Sequence, residues 1–263
     1  MMRASILGIA LFLASVGTDA ATISGQAIHP GERVNIEFPL AKEVQEIASR
    51  GGNPRVTTGR ATLVFPAGFD PAKPSPMLIV TSTSDFNRTS PMDIGFYRAA
   101  AASEGWIVLA SDGPVRMTSD SAEWRLAMLL GALDALHREW PQSTKWPVAM
   151  AGFSGGSKRT GDLAPYLVKA GLARICGLFL TGINVDRLSE SYRKYQPGRA
   201  FLDTKIYLSN GAIDKIATPG DHQQVIESLR RAGFRNIRLE SFPGEHEVNA
   251  AAVRDALRWF RSG

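Results

Sequence analysis

The sequence predicts an α/β protein with a doubly wound, mostly parallel sheet, and two patterns support this prediction. Short, nearly continuous apolar runs recur along the chain, and segments with helical spacing of apolar residues alternate with them. Such runs are typical of strands that are covered on both faces, as in a parallel sheet. Strands that alternate with helices imply right-handed crossovers around one sheet. Without an internal repeat or a low-complexity linker, the 263 residues indicate one domain.

The predicted strands fall into two groups. Two early segments, 34–38 and 60–65, alternate apolar and polar residues, as partly exposed strands do. A proline-rich turn at 68–76 follows them, and its prolines do not fit a central strand. After that turn, the apolar runs predict strands at 77–81, 106–111, 148–153, 176–183 and 205–210, with a last strand at 237–242.

Helical spacing between these runs predicts five helices, at 91–104, 121–140, 157–170, 222–232 and 249–261. The second of them carries five leucines on one face, and Asp120 or Ser121 is in position to cap its N-terminus. The segments therefore place a helix between almost every pair of consecutive central strands.

The N-terminus has the pattern of an export signal. Arg3 precedes an unbroken apolar run at 4–16, and small residues follow it. A short basic region, an apolar run too short to span a bilayer and a small-residue cleavage site are typical of a secretory signal peptide. We therefore expect a signal peptide over residues 1–21, a single domain over residues 22–263, and a secreted or periplasmic protein without stable membrane insertion.

Composition excludes several other classes of function. The formal net charge is +5, but the basic residues are scattered, so nothing indicates a nucleic-acid partner. The only cysteine, Cys176, allows no intrachain disulfide. No cluster of His, Asp or Glu has the spacing of metal ligands, and no cofactor motif is present, so we expect neither a metal nor a cofactor. The sequence leaves the oligomeric state open.

The most informative motif is Gly152-Phe153-Ser154-Gly155-Gly156, which reads G-x-S-x-G between a predicted strand and a predicted helix. In a nucleophile elbow, the serine occupies a sharp strand-to-helix turn, and small neighbours let the two elements approach closely. The N–H of Gly155 would then face a developing oxyanion at the helix N-terminus. A tight structural turn or an anion-binding turn is the alternative interpretation.

An activated serine needs a base, and the chain offers four histidines. His246 follows the last predicted strand, so it is placed at the carboxyl edge of the sheet, where ligands bind in open α/β sheets. His29 lies near the N-terminus, and His137 lies within the leucine-rich helix. His222 is expected to cap a helix or to be exposed at its first turn. His246 is therefore the predicted base.

The acid that orients the base should follow the preceding strand, because the elbow order is Ser, acid, His. Asp214 lies in the loop after the strand at 205–210 and is the first choice. Asp221 is the reserve, although its position suits the start of a helix better. Asp186, after the strand at 176–183, is a weaker alternative.

These motifs resemble the α/β-hydrolases, in particular the compact esterase, polyhydroxybutyrate-depolymerase-like and dienelactone-hydrolase-like branches. The resemblance covers residues 60–263. Besides the elbow, it rests on G-x-x-D at 211–214, P-G-x-H at 243–246 and the ending ALRWF at 256–260. It implies that Ser154 is the nucleophile, that His246 is the general base and then the general acid, and that Asp214 orients His246.

The sequence departs from the family at the second oxyanion donor. Members commonly carry His-Gly after the strand that corresponds to 77–81, whereas this chain has Thr-Ser-Thr-Ser at 81–84. A backbone donor requires no particular side chain, so Thr83 or Ser84 remains suitable, and Thr83 is the first choice.

The prediction of the substrate rests on the absence of a cap domain. The segment between the strands at 176–183 and 205–210 has room for one helix and a loop but not for a cap domain, which implies an open site. We therefore expect a serine carboxylic ester hydrolase that acts on short acyl esters of bulky or polymeric alcohols. A peptidase similar to the prolyl-oligopeptidase catalytic domain and a catalytically silent binding protein are the alternatives. Phe86, Trp124, Tyr192 and Tyr195 are candidates for the cleft lining, although packing or surface exposure is the more ordinary role for each of them.

Overall fold

A twisted eight-stranded sheet with helices on both faces forms the centre of the molecule. The computed structural model describes residues 21–83, 88–114 and 121–262. The predicted signal peptide therefore lies, apart from Ala21, outside the described residues and stays a prediction.

The strands are β1 (Thr22–Ile23), β2 (Gln26–Ala27), β3 (Arg33–Pro39), β4 (Thr58–Val64), β5 (Met77–Thr81), β6 (Ile107–Asp112), β7 (Pro147–Phe153), β8 (Arg174–Thr181), β9 (Lys205–Gly211) and β10 (Ile237–Phe242). The helices are α1 (Lys42–Arg50), α2 (Ser90–Ser103), α3 (Ala122–Glu139), α4 (Gly155–Lys169), α5 (Leu188–Tyr195), α6 (Pro219–Ala232) and α7 (Ala250–Arg261). Two short 3-10 helices, Pro141–Lys145 and Arg199–Asp203, complete the described chain.

The order of strands in the large sheet is β10-β9-β8-β7-β5-β6-β4-β3. The six strands from β5 to β10 are parallel, whereas β4 pairs antiparallel with both β6 and β3. This confirms the predicted mostly parallel, doubly wound α/β fold. Because β5, β7, β8, β9 and β10 run in one direction, the loops that follow them meet at one edge of the sheet.

Both faces of the sheet are buried, which explains the unbroken apolar runs. Met77 and Ile79 of β5 pack into one core, while Leu78 and Val80 pack into the core on the opposite face. Residues of α1, α3, α4, α5 and α6 line the first core, and residues of α2 and α7 line the second.

The structure also shows where the sequence prediction was incomplete. The helix α1 and the short hairpin of β1 and β2 were not predicted, because neither carries a long apolar pattern. The helices α4 and α6 begin at Gly155 and Pro219, earlier than predicted; proline is tolerated in the first turn of a helix because an N–H there would have no acceptor within the helix. The side chain of Ser121 accepts a hydrogen bond from the Trp124 N–H, which confirms Ser121 as the cap of α3.

The connection between β8 and β9 contains only α5 and one 3-10 helix, so the predicted absence of a large cap domain is confirmed. Tyr192 packs against Phe201 and Phe234, and Trp124 is fully buried, so both are packing residues. Phe86 lies outside the described residues. None of the described helices combines the length and the apolar character needed to span a membrane.

Candidate active site

Ser154 occupies a strained turn between β7 and α4. Its backbone has φ 55° and ψ −120°, a conformation that residues with a side chain rarely adopt. Such strain persists only where the surrounding structure imposes it, and it occurs preferentially at functional sites. The Ser154 N–H donates to the Thr181 carbonyl at 2.9 Å, which ties the turn to the end of β8.

The glycines of the motif are required by close contact between backbones. A Cβ atom on Gly152 would lie 2.1 Å from the Gly156 carbonyl, and one on Gly156 would lie 2.5 Å from the Thr81 carbonyl. Thr81 and Ser157 reinforce this contact, since their hydroxyls donate to the carbonyls of Gly156 and Gly152 at 2.7 Å each. The small residues therefore allow α4 to start directly against β5 and β7, with Ser154 at the apex.

Asp214 is nearly fully buried in the loop after β9, and its carboxylate makes three hydrogen bonds. One oxygen accepts the N–H groups of Ile216 and Ala217 at 2.8 and 2.9 Å. The other lies 2.7 Å from Nδ1 of His246. Burial alone would raise the pKa of Asp214, but the hydrogen bonds from Ala217, His246 and Ile216 outweigh it and lower the pKa below its usual value.

The contact between Asp214 and His246 fixes the state of the imidazole. An ionised carboxylate only accepts hydrogen bonds, so Nδ1 of His246 carries the hydrogen that Asp214 binds. In neutral His246, the other ring nitrogen, Nε2, is then a hydrogen-bond acceptor. The side chain of His246 is 16% exposed, whereas that of Asp214 is 1% exposed, so the imidazole alone of this pair is accessible.

Two further glycines bring the histidine loop to the sheet edge. A Cβ atom on Gly211 would lie 2.1 Å from the Glu245 carbonyl, and one on Gly182 would lie 2.9 Å from Cε1 of His246. The Ile213 N–H also donates to the Gly244 carbonyl at 3.1 Å. The loops after β8, β9 and β10 are therefore packed together at the place where His246 is presented.

Ser154 and His246 are neighbours through Phe153. The rings of Phe153 and His246 lie with their centroids 4.6 Å apart, and Phe153 directly precedes Ser154. In the described chain, the Ser154 hydroxyl makes no hydrogen bond to His246. Catalytic hydrogen bonds are often long in ligand-free structures and shorten when substrate binds. The packing role of Phe153 was not foreseen, because the x position of the motif carries no signal of its own.

The reserve acids have other roles in the structure. The Asp221 carboxylate accepts from the N–H and the hydroxyl of Thr218, which forms a capping box at the start of α6. Asp186 accepts from the Ser189 N–H at 3.0 Å, at the start of α5. Neither carboxylate is bonded to His246, so the structure brings only Asp214 to this histidine.

The structure gives two of the other histidines positions outside the contact between Asp214 and His246. His137 lies in the last turn of α3. The expectation of a capping or exposed His222 was wrong, because the side chain is fully buried and its Nδ1 lies 3.1 Å from the Thr218 carbonyl, one turn back in α6. Burial lowers the pKa of His222, which keeps this ring neutral.

The two predicted oxyanion donors differ in their surroundings. Gly155 is the first residue of α4, where N–H groups have no acceptor within the helix. The Thr83 N–H instead favours the charged form of Asp93, a buried carboxylate 2.6 Å from Nε of Arg88. Burial still raises the pKa of Asp93. Ser84 lies outside the described residues, and the second donor stays a prediction.

A substitution at Gly211 tests whether the loop contact places His246. We expect Gly211→Ala to push the Glu245 carbonyl away, to destabilise the fold by about 1–3 kcal/mol as overpacking does, and to reduce turnover. Gly220→Ala is the matched control, because a Cβ atom there would come no closer than 3.6 Å to the Thr218 hydroxyl. Unfolding curves and ester hydrolysis measure both effects. Wild-type turnover in Gly211→Ala would show that the contact between Gly211 and the Glu245 carbonyl is not needed to place His246.

Comparison with solved structures places this site in a known fold. A serine hydrolase without a lid from Xanthomonas campestris is 15% identical, with a TM-score of 0.56, and the match covers 90% of this chain and all of that one. The fluorophosphonate-binding serine hydrolase F of Staphylococcus aureus is 13% identical, with a TM-score of 0.59 and coverage of 89% and 100%. A bacterial heroin esterase is 16% identical, with a TM-score of 0.60 and coverage of 88% and 85%.

No protein-family model and no curated protein matches the sequence. The structural matches, which extend over nearly the whole chain, show that the protein has the α/β-hydrolase fold. At this level of identity, the resemblance concerns the fold, so the chemistry must be argued from the residues themselves.

Proposed function

We propose that the protein is a serine carboxylic ester hydrolase with Ser154 as nucleophile, His246 as general base and Asp214 as the acid that orients it. One observation carries the proposal: Asp214, buried and ionised, binds Nδ1 of His246 at 2.7 Å beside a serine held at φ 55° between a strand and a helix. A structural turn requires neither the strained serine nor the buried carboxylate–imidazole pair. The matched structures named as serine hydrolases and esterases support the same chemistry.

In the acylation step, Oγ of Ser154 attacks the ester carbonyl carbon while Nε2 of His246 takes the hydroxyl proton. The carbonyl oxygen becomes an oxyanion, which accepts the Gly155 N–H at the N-terminus of α4. His246 is then an imidazolium, and the Asp214 carboxylate stabilises its charge. The C–O bond of the ester breaks, and Nε2 of His246 returns the proton to the leaving alcohol.

Deacylation repeats these steps with water. Nε2 of His246 takes a proton from water, the resulting hydroxide attacks the acyl carbon, and the released Ser154 oxygen is reprotonated by the imidazolium. The carboxylic acid leaves, and Asp214 again holds the imidazole in the tautomer that accepts at Nε2.

The surroundings of the site favour an open, apolar cleft. Five exposed apolar side chains surround the carboxyl edge of the sheet: Met92, Phe96, Val185, Ile213 and Ile216, which are 40–62% exposed. The Phe96 ring contacts Phe153 edge-on, with the centroids 5.8 Å apart. Because only α5 and a short 3-10 helix lie between β8 and β9, no large element in the described part of the chain encloses an acyl chain. We infer preference for short acyl esters of bulky or polymeric alcohols, and the N-terminal pattern supports action outside the cytoplasm.

The substrate class is tested with esters of graded acyl length. We expect kcat/KM to be highest for acetyl to butyryl esters and to change little when the alcohol is enlarged. A buried methylene contributes about 0.8 kcal/mol, or roughly fourfold in kcat/KM, so an enclosed acyl tunnel would give a steady rise with chain length. Such a rise, or rejection of every bulky alcohol, would contradict the open site.

Aminoacyl nitroanilides in the same assay test the peptidase alternative. We expect hydrolysis of the ester and little hydrolysis of the anilide. The opposite preference would favour a peptidase similar to the prolyl-oligopeptidase catalytic domain. Absence of turnover with every substrate, in protein that is folded, would favour a catalytically silent binding protein.

A further inference from the structure

The strand β10 is an exposed edge of the large sheet. It pairs with β9 on one side, and none of the strands within the described ranges pairs with its other side. Leu239, in the middle of the strand, is 42% exposed, and Arg238 and Ser241 are also exposed. An open edge offers unpaired N–H and C=O groups to another strand.

The pairing with β9 determines which residues face outward. The carbonyls of Asn236 and Phe242 accept hydrogen bonds from the β9 side. Because alternate residues of a strand face the same neighbour, Arg238 and Glu240 also direct their backbone groups to β9. The backbone groups of residues 237, 239 and 241 therefore point to the open edge, and only these residues can exchange hydrogen bonds with a new strand.

The charges on β10 select one way in which two copies can pair. In a symmetric antiparallel pair of two β10 strands, residues whose backbone groups point to the open edge must lie opposite each other. The two-fold axis can then pass through residue 238, 239 or 240 while most of both strands remain paired. An axis at 238 opposes Arg238 to itself, and an axis at 240 opposes Glu240 to itself. An axis at Leu239 places Arg238 opposite the partner's Glu240 twice. Opposite charges stabilise such cross-strand pairs, and like charges destabilise them.

Register shifts beyond these are disfavoured as well. An axis at 241 would oppose Leu239 to the partner's Pro243, which has no N–H to donate. An axis at 237 would oppose Arg238 to the partner's Asn236 and would leave most of β10 unpaired. The strand is thus complementary to a second copy of itself in a single register.

We propose that the protein forms a two-fold symmetric dimer through β10, with the axis at Leu239, which joins two eight-stranded sheets into one of sixteen strands. The side chains of Arg238 and Glu240 lie on the face of the sheet that packs against α7. The Arg238 guanidinium lies over the Trp259 ring at 4.2 Å, and the Glu240 carboxylate accepts a hydrogen bond from the Tyr207 hydroxyl. These contacts hold the two side chains in place for the partner. On the opposite face, the two exposed Leu239 side chains cover each other.

The first experiment is a disulfide cross-link at the proposed axis. Hydrogen-bonded antiparallel residues have Cα atoms about 5.5 Å apart, within the range of about 4.4–6.8 Å that a disulfide spans. We expect Leu239→Cys to form a covalent dimer under mild oxidation. Ser241→Cys is the matched control, because this register places Ser241 opposite the partner's Ile237. Wild-type protein controls for Cys176, the only native cysteine.

The second experiment reverses the charges. In equilibrium sedimentation, we expect wild-type protein to have twice the mass of the chain, and we expect Arg238→Glu or Glu240→Arg to raise the dimer dissociation constant about tenfold or more. The double variant Arg238→Glu/Glu240→Arg restores both ion pairs and should dimerise like the wild type. Arg138→Glu, which makes the same change of net charge on α3, should have no effect, since Arg138 pairs only with Asp134 among the described residues.

Several outcomes would overturn the proposal: a monomeric wild-type protein at all concentrations, a dimer that every charge variant leaves unchanged, or equal cross-linking of Leu239→Cys and Ser241→Cys. Circular dichroism distinguishes an unfolded variant from a folded monomer, and the cross-link does not depend on the charged side chains. None of these measurements uses ester hydrolysis, so the dimer stands or fails independently of the proposed function.

Discussion

Replacing Ser154 by alanine is expected to abolish both ester hydrolysis and covalent labelling by a fluorophosphonate. The reagent requires an activated serine oxygen, and Ser154 occupies the strained apex between β7 and α4 with the accessible His246 imidazole nearby. We expect kcat to fall about 10⁴-fold or more. Mass spectrometry of the labelled wild-type protein should locate the adduct on Ser154.

His246→Ala should lower kcat by a similar factor, and the double variant Ser154→Ala/His246→Ala should be hardly worse than either single variant, because triad members act as a unit. Ser157→Ala is the matched control. Its hydroxyl donates to the carbonyls of Gly152 and Thr181, so this change should lower stability yet leave labelling at Ser154 intact. Persistent labelling or turnover in Ser154→Ala would refute the assignment of the nucleophile.

Most of the fold was predictable because the signals were local and strong. The central parallel strands are buried on both faces, so their apolar runs marked β5, β6, β7 and β9 with errors of at most one residue at either end. The loops after consecutive parallel strands necessarily meet at one edge. This shared edge predicts that Asp214 and His246 lie close together, and in the structure Nδ1 of His246 lies 2.7 Å from the Asp214 carboxylate.

What was missed depends on contacts between distant segments. The absence of a side chain at Gly182 leaves room for the His246 ring, and the Phe153 ring packs against that ring. Each of these contacts joins residues that are far apart in the sequence. His222 was expected to be capping or exposed because it lies early in a helix, whereas its face turns inward against β9 and becomes fully buried. The spacing of His222 with the buried residues Val225, Ile226 and Leu229 places it on the apolar face of α6, so the sequence did carry a signal for this burial. The contacts of Gly182 and Phe153 with His246, in contrast, depend on tertiary packing alone.

The edge strand illustrates a further limit. The charges at 238 and 240 distinguish β10 from the apolar central strands, but only the observed sheet order shows that it lies at the end of the sheet. Because β10 is an edge strand, Arg238 and Glu240 on either side of Leu239 can pair with the same residues of a second copy. In a central strand, both sides of the backbone would be paired within the same sheet, and these residues could not pair with a second copy.

Asp214→Asn is expected to retain the fold but to lose most of the activity. The amide oxygen can still accept the N–H groups of Ile216 and Ala217, so the loop keeps its shape. The amide NH₂, however, faces Nδ1 of His246 and donates a hydrogen bond to it. The imidazole then carries its hydrogen on Nε2 and cannot take the proton of Ser154, which should lower kcat about 10⁴-fold.

Stability should depend on pH in a direction that the lowered pKa of Asp214 determines. A carboxyl whose pKa is lower in the folded state stabilises the fold above its unfolded pKa, and this contribution is lost as the pH falls through the folded value. The wild type should therefore exceed Asp214→Asn in unfolding free energy near neutral pH by more than it does in strong acid. Denaturant unfolding at both pH values measures the difference.

Asp221→Asn is the control that separates a catalytic carboxylate from a capping one. Asp221 completes the capping box of α6 with Thr218 and does not contact His246, so its replacement should lower Tm by only about 2–4 °C and leave kcat near the wild-type value. Rates near wild type in Asp214→Asn, together with a collapse of activity in folded Asp221→Asn, would reverse the assignment. If both variants keep full activity, then neither Asp214 nor Asp221 orients His246 in catalysis, and the role of the 2.7 Å contact is structural.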